Sequence, residues 1–241
     1  MQKRTMVALS VNLGAEFISE MSATVTLIAV ALLPSLGVSR PLAPSLQDDV
    51  LARPAATSGQ SLPAFSAFED ALQVSGVPGG MAFVERCADE TKPVVHPHGT
   101  TLRQVLDSII SADPHYIWRV RKGVVNLEPV KGVPALLKTP LVSYDSGEVT
   151  DAVSAVSILS SSPDVVRAGA RLGLTHNALG PGLGGMAPVS PQPQKPLGLR
   201  LHDAPLLDAL NAIARANKHG VWTYRETQCG SVRQFNISFA Q

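Results

Sequence analysis

The sequence predicts an α+β fold with two related small modules, in each of which amphipathic helices pack on a short mixed or antiparallel sheet ending in a β-hairpin. Three observations support this prediction. Apolar residues recur at helical spacing over 65–72 and 100–114, and they alternate with polar residues at strand spacing over 116–120 and 235–239. Residues 202–226 also match residues 98–122 without a gap. A self-match at a fixed offset is the signature of an internal repeat.

Composition bounds the fold and the partners. The chain has 241 residues, 45% of them hydrophobic, and a formal net charge of +1. This length supports one core of ordinary size or two small ones. Binding to nucleic acid requires a basic stripe, and the longest basic cluster is "RVRK" at 119–122. We therefore expect no nucleic-acid partner.

The first 39 residues are predicted to be a signal peptide or an N-terminal anchor. Lys3 and Arg4 supply a positive start, the apolar run at 22–39 follows, and Gly37 and Ser39 are small residues suited to cleavage. A retained anchor would give a membrane tether through the N-terminus, and a buried helix is the third alternative. Residues 40–61 are rich in Pro, Ala and Ser and predict a tether.

The first module is predicted over 62–130. A helix over 65–72 ends at the glycine-rich stretch 76–80, and a strand follows over 81–87. The second helix lies within 100–114, with Thr101 and Gln104 spaced as a capping box. Lys122 and Gly123 then form the turn of a hairpin.

The second module is predicted over 131–241, with a helical insertion at 149–159 and 163–172 and a Gly/Pro-rich loop over 177–198. Asp203 with Pro205 marks the start of its last helix. Trp118 and Trp222 are equivalent and are predicted to pack on the preceding helices rather than to form a binding patch. The core shared by the two copies is predicted to comprise Leu102, Leu106, Ile109, Trp118, Leu206, Leu210, Ile213 and Trp222.

The stretches "GVPGGMAFVE" and "TLRQVLDSIISADPHYIWRVRKGVVNLEP" resemble the short N-terminal domain shared by secretins and TonB-dependent receptors. The resemblance covers residues 62–129, and in the second copy, 197–239, only the last helix and hairpin. It implies a small periplasmic α+β module that mediates contacts between proteins and carries no catalytic residue. No barrel, plug or pore sequence follows, so the resemblance does not imply export through this chain.

The two cysteines, Cys87 and Cys229, are compatible with a disulfide in an oxidising compartment, or with two free thiols. No catalytic or cofactor-binding residue is predicted, and no cofactor. His96 and His98 would share one face if they lay on a strand, but they lack a third ligand, so no metal site is predicted. Matched pairs across the repeat, Asp107 with Asn211 and Arg121 with Arg225, are expected to reflect the duplicated fold.

The function predicted from these observations is that of an exported, non-enzymatic interaction or assembly protein of a bacterial-type cell envelope, periplasmic or secreted. Other envelope proteins would bind through sheet edges and loops. The alternative is a small envelope hydrolase with a Ser/His/Asp site in the middle segment, which requires a serine close to His176, His202 or His219. A structural envelope protein held by an uncleaved anchor is a third hypothesis.

Overall fold

The computed structural model describes residues 46–55, 60–86, 93–177 and 196–241. All of them belong to one unit, Ala43–Gln241. None of the helices in these ranges is long and apolar enough to cross a membrane. The predicted signal peptide or anchor, residues 1–39, lies outside the described residues, as does most of the predicted loop over 177–198.

The first half of the fold follows a short helix, α1 (Leu46–Leu51). It contains two longer helices and five strands in the order β1 (Leu62–Pro63), α2 (Ala64–Val74), β2 (Gly79–Arg86), β3 (Val94–Val95), α3 (Leu102–Ala112), β4 (Tyr116–Arg121) and β5 (Val124–Pro129).

The second half begins after a 3-10 turn at Leu136–Lys138. It contains three helices and five strands in the order β6 (Pro140–Asp145), α4 (Ala152–Ser160), α5 (Pro163–Arg171), β7 (Thr175–His176), β8 (Arg200–Pro205), α6 (Leu206–Asn217), β9 (Val221–Cys229) and β10 (Val232–Ala240).

The main sheet has six strands in the order β4-β5-β2-β9-β10-β7. The hairpins β4–β5 and β9–β10 are antiparallel, whereas β2 runs parallel to both β5 and β9, and β7 runs parallel to β10. Two small antiparallel sheets, β1–β3 and β6–β8, lie outside it. The pairings of the first half therefore recur in the second, and β2–β9 joins the halves.

The two faces of the main sheet are covered by different helices. Met81 and Phe83 of β2 belong to a core cluster with α2 and α3, whereas Ala82 belongs to a cluster with α4, α5 and α6. Successive strand residues point to opposite faces, so these two clusters lie on opposite sides of one sheet. The strand order β4-β5-β2 is thus repeated by β9-β10-β7 with the strand directions and the helix-covered side reversed. A half-turn about an axis across the strands, combined with a shift along that axis, relates the halves.

Two adjacent glycines allow β2 to lie between the two cores. A Cβ on Gly79 would come within 2.3 Å of Leu72 Cδ1 on one side, and a Cβ on Gly80 within 2.0 Å of Trp222 Cε2 on the other. Both distances are far below van der Waals contact, so neither position has room for a side chain. The "GG" pair thus fixes how closely the halves approach.

The α+β class is confirmed, whereas two separate modules are not, because the two hairpins share one sheet. Part of the predicted tether is helical: Leu51 of α1 is 3% exposed and belongs to the core cluster of α2 and α3. The segment predicted to be a helical insertion does contain α4 and α5, but β6 precedes them and pairs with β8.

Local start and turn signals have mixed outcomes. The Thr101–Gln104 capping box is present, and Lys122 and Gly123 both have positive φ (51° and 81°), as a type I′ hairpin turn requires. Asp203 does not cap α6: the helix begins after Pro205 without a side-chain cap, and Asp203 lies in β8 with φ of 48°.

Candidate interaction surface

The two tryptophans make the same hydrogen bond at equivalent positions. Trp118 Nε1 donates to Asp107 Oδ1, and Trp222 Nε1 donates to Asn211 Oδ1, both at 2.9 Å and both over 11 residues. Each tryptophan packs against the core cluster that contains the leucine predicted for it, Leu106 or Leu210. The remaining members of the shared core set, Leu102, Ile109, Leu206 and Ile213, are at most 1% exposed.

The environments of the two pairs differ. Trp222 and Asn211 are 0% and 1% exposed, whereas Asp107 is exposed and Trp118 is half-buried. The guanidinium of Arg103 lies 5.5 Å from the Trp118 ring centroid, so this indole carries a cation–π contact at the surface. Both pairs thus have a structural role. The acceptor is the ionisable Asp107 where water reaches the pair, and the neutral amide of Asn211 where the pair is buried.

One face of the second hairpin is polar and lacks a covering helix among the described elements. Its members alternate with the buried residues of β9 and β10 and are half-buried. We call it the polar hairpin face, and its residues are Thr223, Arg225, Thr227, Gln234, Asn236 and Ser238. It is the side of the sheet opposite to Trp222 and α6.

A cavity of about 210 Å³ lies on this face. Its lining comes from three neighbouring strands and the residue after β7: Glu85, Asn177, Arg225, Thr227, Gln234, Phe235 and Asn236. Asn236 Nδ2 donates to the carbonyl oxygen of Asn177 at 2.7 Å, and Asn177 Nδ2 donates to Gln234 Oε1 at 3.4 Å. These bonds fix the amides at one wall of the cavity.

Arg121 and Arg225 occupy equivalent positions but differ in their partners. Arg121 donates two hydrogen bonds to Glu128, at 2.6 and 2.9 Å, and this carboxylate raises the pKa of Arg121. Arg225 Nε is buried and has no hydrogen bond within the described ranges. It lies 3.7 Å from Glu85 Oε1, close enough for an ion pair but too far for a hydrogen bond. The second arginine is therefore incompletely satisfied.

The opposite side of the same hairpin carries a buried polar cluster. Tyr224 Oη donates to Glu226 Oε2 at 2.8 Å and Gln228 Nε2 donates to Glu226 Oε1 at 2.7 Å, while Arg233 forms an ion pair with Glu226 at 3.6 Å. Burial, chiefly, and the charge of Glu226 raise the pKa of Tyr224 well above its usual range. These groups satisfy one another, as buried polar groups must.

A second, more open cavity of about 300 Å³ borders the linker between the halves. Its lining residues are Arg121, Val133, Leu137, Lys138, Pro205, Leu207 and Asp208. At its rim Lys122 Nζ donates to Asp208 Oδ2 at 2.9 Å. Because this contact ties the first hairpin to α6, we assign the region to the junction of the halves.

His96 and His98, which precede α3, both make exposed hydrogen bonds. His96 is hydrogen-bonded to Ser61 Oγ at 3.0 Å in an exposed position, and His98 Nδ1 contacts the carbonyl oxygen of His96 at 3.2 Å. No hydrogen bond among the described residues joins a serine to His176, His202 or His219. No metal-binding group of three His, Cys, Asp or Glu occurs in this part of the chain.

Cys229, at the end of β9, is disulfide-bonded. Cys87, the other cysteine of the sequence, lies outside the described residues. The register places Arg86 opposite Gln228, and the residues that follow these two are Cys87 and Cys229. This agrees with the predicted pairing, which stays a prediction.

From the sequence, Arg225 was identified only as the residue that matches Arg121, and Glu85, Thr227 and Asn177 were not identified as residues near Arg225. The alternation of polar residues in β10 was the available signal for a polar face. Comparisons with protein-family models, curated proteins and solved structures find no match to the chain.

Proposed function

We propose that this protein is an exported, non-enzymatic interaction component of a bacterial-type cell envelope, and that the polar hairpin face is its main contact surface. The observation that carries the proposal is the cavity on this face, which contains an arginine without a full set of hydrogen bonds among the described residues. Half-buried polar groups around an arginine are typical of protein interfaces, in which arginine is enriched.

The proposed duplication supports this choice of surface. In the first half, the equivalent face carries Arg121, Asn126 and Glu128, and the last two are 0% and 3% exposed. Helix α6 covers that face, because Val124 of β5 belongs to the same core cluster as Leu206 and Leu210 of α6. In the second half, no described helix takes the place of α6, and the surface is left for another protein.

Export to the periplasm or beyond is part of the proposal, and the disulfide at Cys229 supports it because structural disulfides persist in oxidising compartments. The end strands β4 and β7 are proposed as secondary contact points through which a partner's extended segment extends the sheet. The resemblance to the secretin and TonB-receptor domain supports a protein-binding role in the same way.

A pull-down from envelope extract with the full chain tests the proposal. Thr227→Arg places a long charged side chain in the cavity, and Ser157→Arg makes the same change at an exposed position of α4. We expect wild type and Ser157→Arg to recover the same partner and Thr227→Arg to lose it. Equal recovery by all three proteins would contradict the assignment of the surface.

A further inference from the structure

The unsatisfied arginine indicates which chemical group the partner brings to this cavity, an inference that rests on the proposed function. Several hydrogen-bond donors line the cavity. Arg225 Nε has no hydrogen-bond partner among the described residues, Gln234 uses its amide oxygen in the bond to Asn177, and Thr227 contributes a hydroxyl. A ligand that supplies oxygen acceptors therefore complements the lining.

The charge of the site selects among such ligands. Glu85 lies 3.7 Å from Arg225 and leaves little net charge at the cavity. Repulsion by this carboxylate grows with the charge of the ligand, so a monoanion suits the site better than a dianion such as phosphate. A guanidinium matches a carboxylate in shape, because its N–H groups form a planar fork.

The first half contains the same interaction within the chain. Arg121 there holds the carboxylate of Glu128 through two hydrogen bonds, in a position equivalent to that of Arg225. Glu128 lies opposite Ile117, and the corresponding position opposite Val221 is Ala240, so no acidic side chain of the second hairpin takes the place of Glu128. Glu85 of the neighbouring strand forms an ion pair with Arg225 at 3.7 Å but accepts no hydrogen bond from its Nε, so the guanidinium can bind a second carboxylate.

The volume of the cavity limits the source. At about 210 Å³ it is smaller than the roughly 300–1,000 Å³ of typical small-molecule pockets, and it suits one side chain or a chain terminus. The geometry points to a carboxylate of a partner polypeptide that binds Arg225, with Thr227 and Gln234 as additional donors. Arg225 is thus the specificity-determining residue of the surface.

Peptide titrations of the full chain test this assignment and distinguish the two sources. The probes are acetyl-Gly-Gly-Glu-Gly-amide for an acidic side chain, acetyl-Gly-Gly-Gly-Gly for a terminal carboxylate, and acetyl-Gly-Gly-Gln-Gly-amide as the uncharged control. The readout is the arginine Nε–H region of NMR correlation spectra. We expect at least one carboxylate peptide, and not the control, to shift the Arg225 signal.

Arg225→Gln should weaken that binding about tenfold or more, because a hydrogen bond to a charged group is lost. The matched control is Arg119→Gln, which removes an exposed arginine from β4 and should leave the affinity unchanged. If Arg225→Gln does not fold, Thr227→Val serves instead, with an expected loss of about threefold.

Equal shifts with all three peptides, or tighter binding of inorganic phosphate than of either carboxylate, would overturn the carboxylate assignment. The proposed function would still stand if Thr227→Arg abolished the pull-down. Conversely, the peptides could bind at Arg225 while Thr227→Arg leaves the pull-down unchanged. That result would support the carboxylate site but contradict the assignment of this face as the main contact surface.

Discussion

Truncating the two matched hydrogen-bond acceptors tests the reasoning about burial. Asp107→Ala and Asn211→Ala each remove the acceptor of a tryptophan N–H at equivalent helix positions. Ala gains helix propensity by a similar amount in both helices. Because Asp107 is exposed, water can bind the indole N–H after Asp107→Ala, so we expect the free energy of unfolding to fall by less than about 1 kcal/mol.

Asn211→Ala should cost more because Trp222 is 0% exposed and its N–H would be buried without an acceptor. That penalty is about 1–3 kcal/mol, and the lost volume adds to it. The Asn211 Nδ2 atom has no hydrogen-bond partner among the described residues, and its removal offsets part of the loss. We therefore expect a net cost of about 1–3 kcal/mol.

Urea unfolding followed by tryptophan fluorescence measures both costs. A double-mutant cycle isolates the hydrogen bond: in a Trp222→Phe background, which has no indole N–H, Asn211→Ala should cost at least about 1 kcal/mol less. Equal costs for Asp107→Ala and Asn211→Ala, or no coupling in the cycle, would refute the argument from burial.

Three further predictions concern the sheet. Gly80→Ala should destabilise the fold by about 2 kcal/mol or more, measured by urea unfolding, because the new Cβ would overlap the rigid Trp222 ring. Burial lowers the pKa of His176, so at a pH near 6.5 the folded state binds fewer protons than the unfolded state. The melting temperature should therefore fall as the pH drops from about 7, and it should fall less in His176→Gln. If Cys87 is the partner of Cys229, Cys229→Ser should lower the free energy of unfolding by about 2–4 kcal/mol. Peptide mass spectrometry without reduction should then find the two cysteine peptides joined, and two free thiols would disprove the pairing.

Elements with local signals were predictable from the sequence. Helix α3 combines a capping box with an apolar stripe and ends before Pro114, and the first hairpin turns at Lys122–Gly123. Both depend on residues within one element or one turn of each other, so a single-sequence pattern contains the information.

Strand β6 was not predictable by the same means. Its buried residues, Leu141 and Tyr144, lie three apart, and the ladder to β8 skips the pair of Val142 and Asp203. Asp203 has φ of 48°, which locally distorts β8. Burial at a spacing of three breaks the two-residue period by which strands are recognised.

The candidate site was only partly predictable for a different reason. The alternation in β10 indicates a polar face, but the β2–β9 pairing that brings Glu85 to Arg225 joins segments more than 130 residues apart. Nothing local in β2 indicates this neighbour, since the same pattern would suit any parallel partner.

Differences between the two halves explain why α6 covers one arginine face and no described helix covers the other. Arg103 and Asp107 on the outer side of α3 are exposed, whereas Leu207 and Asn211 at the equivalent positions of α6 are buried. Helix α6 lies against the first half as well as its own strands, as the Lys122–Asp208 contact shows. An apolar outer side on α6 therefore joins the halves, and the polar side of α3 is suited to water. The arginine face of the first half is covered by α6, which joins the halves, whereas the corresponding face around Arg225 has no covering helix among the described elements.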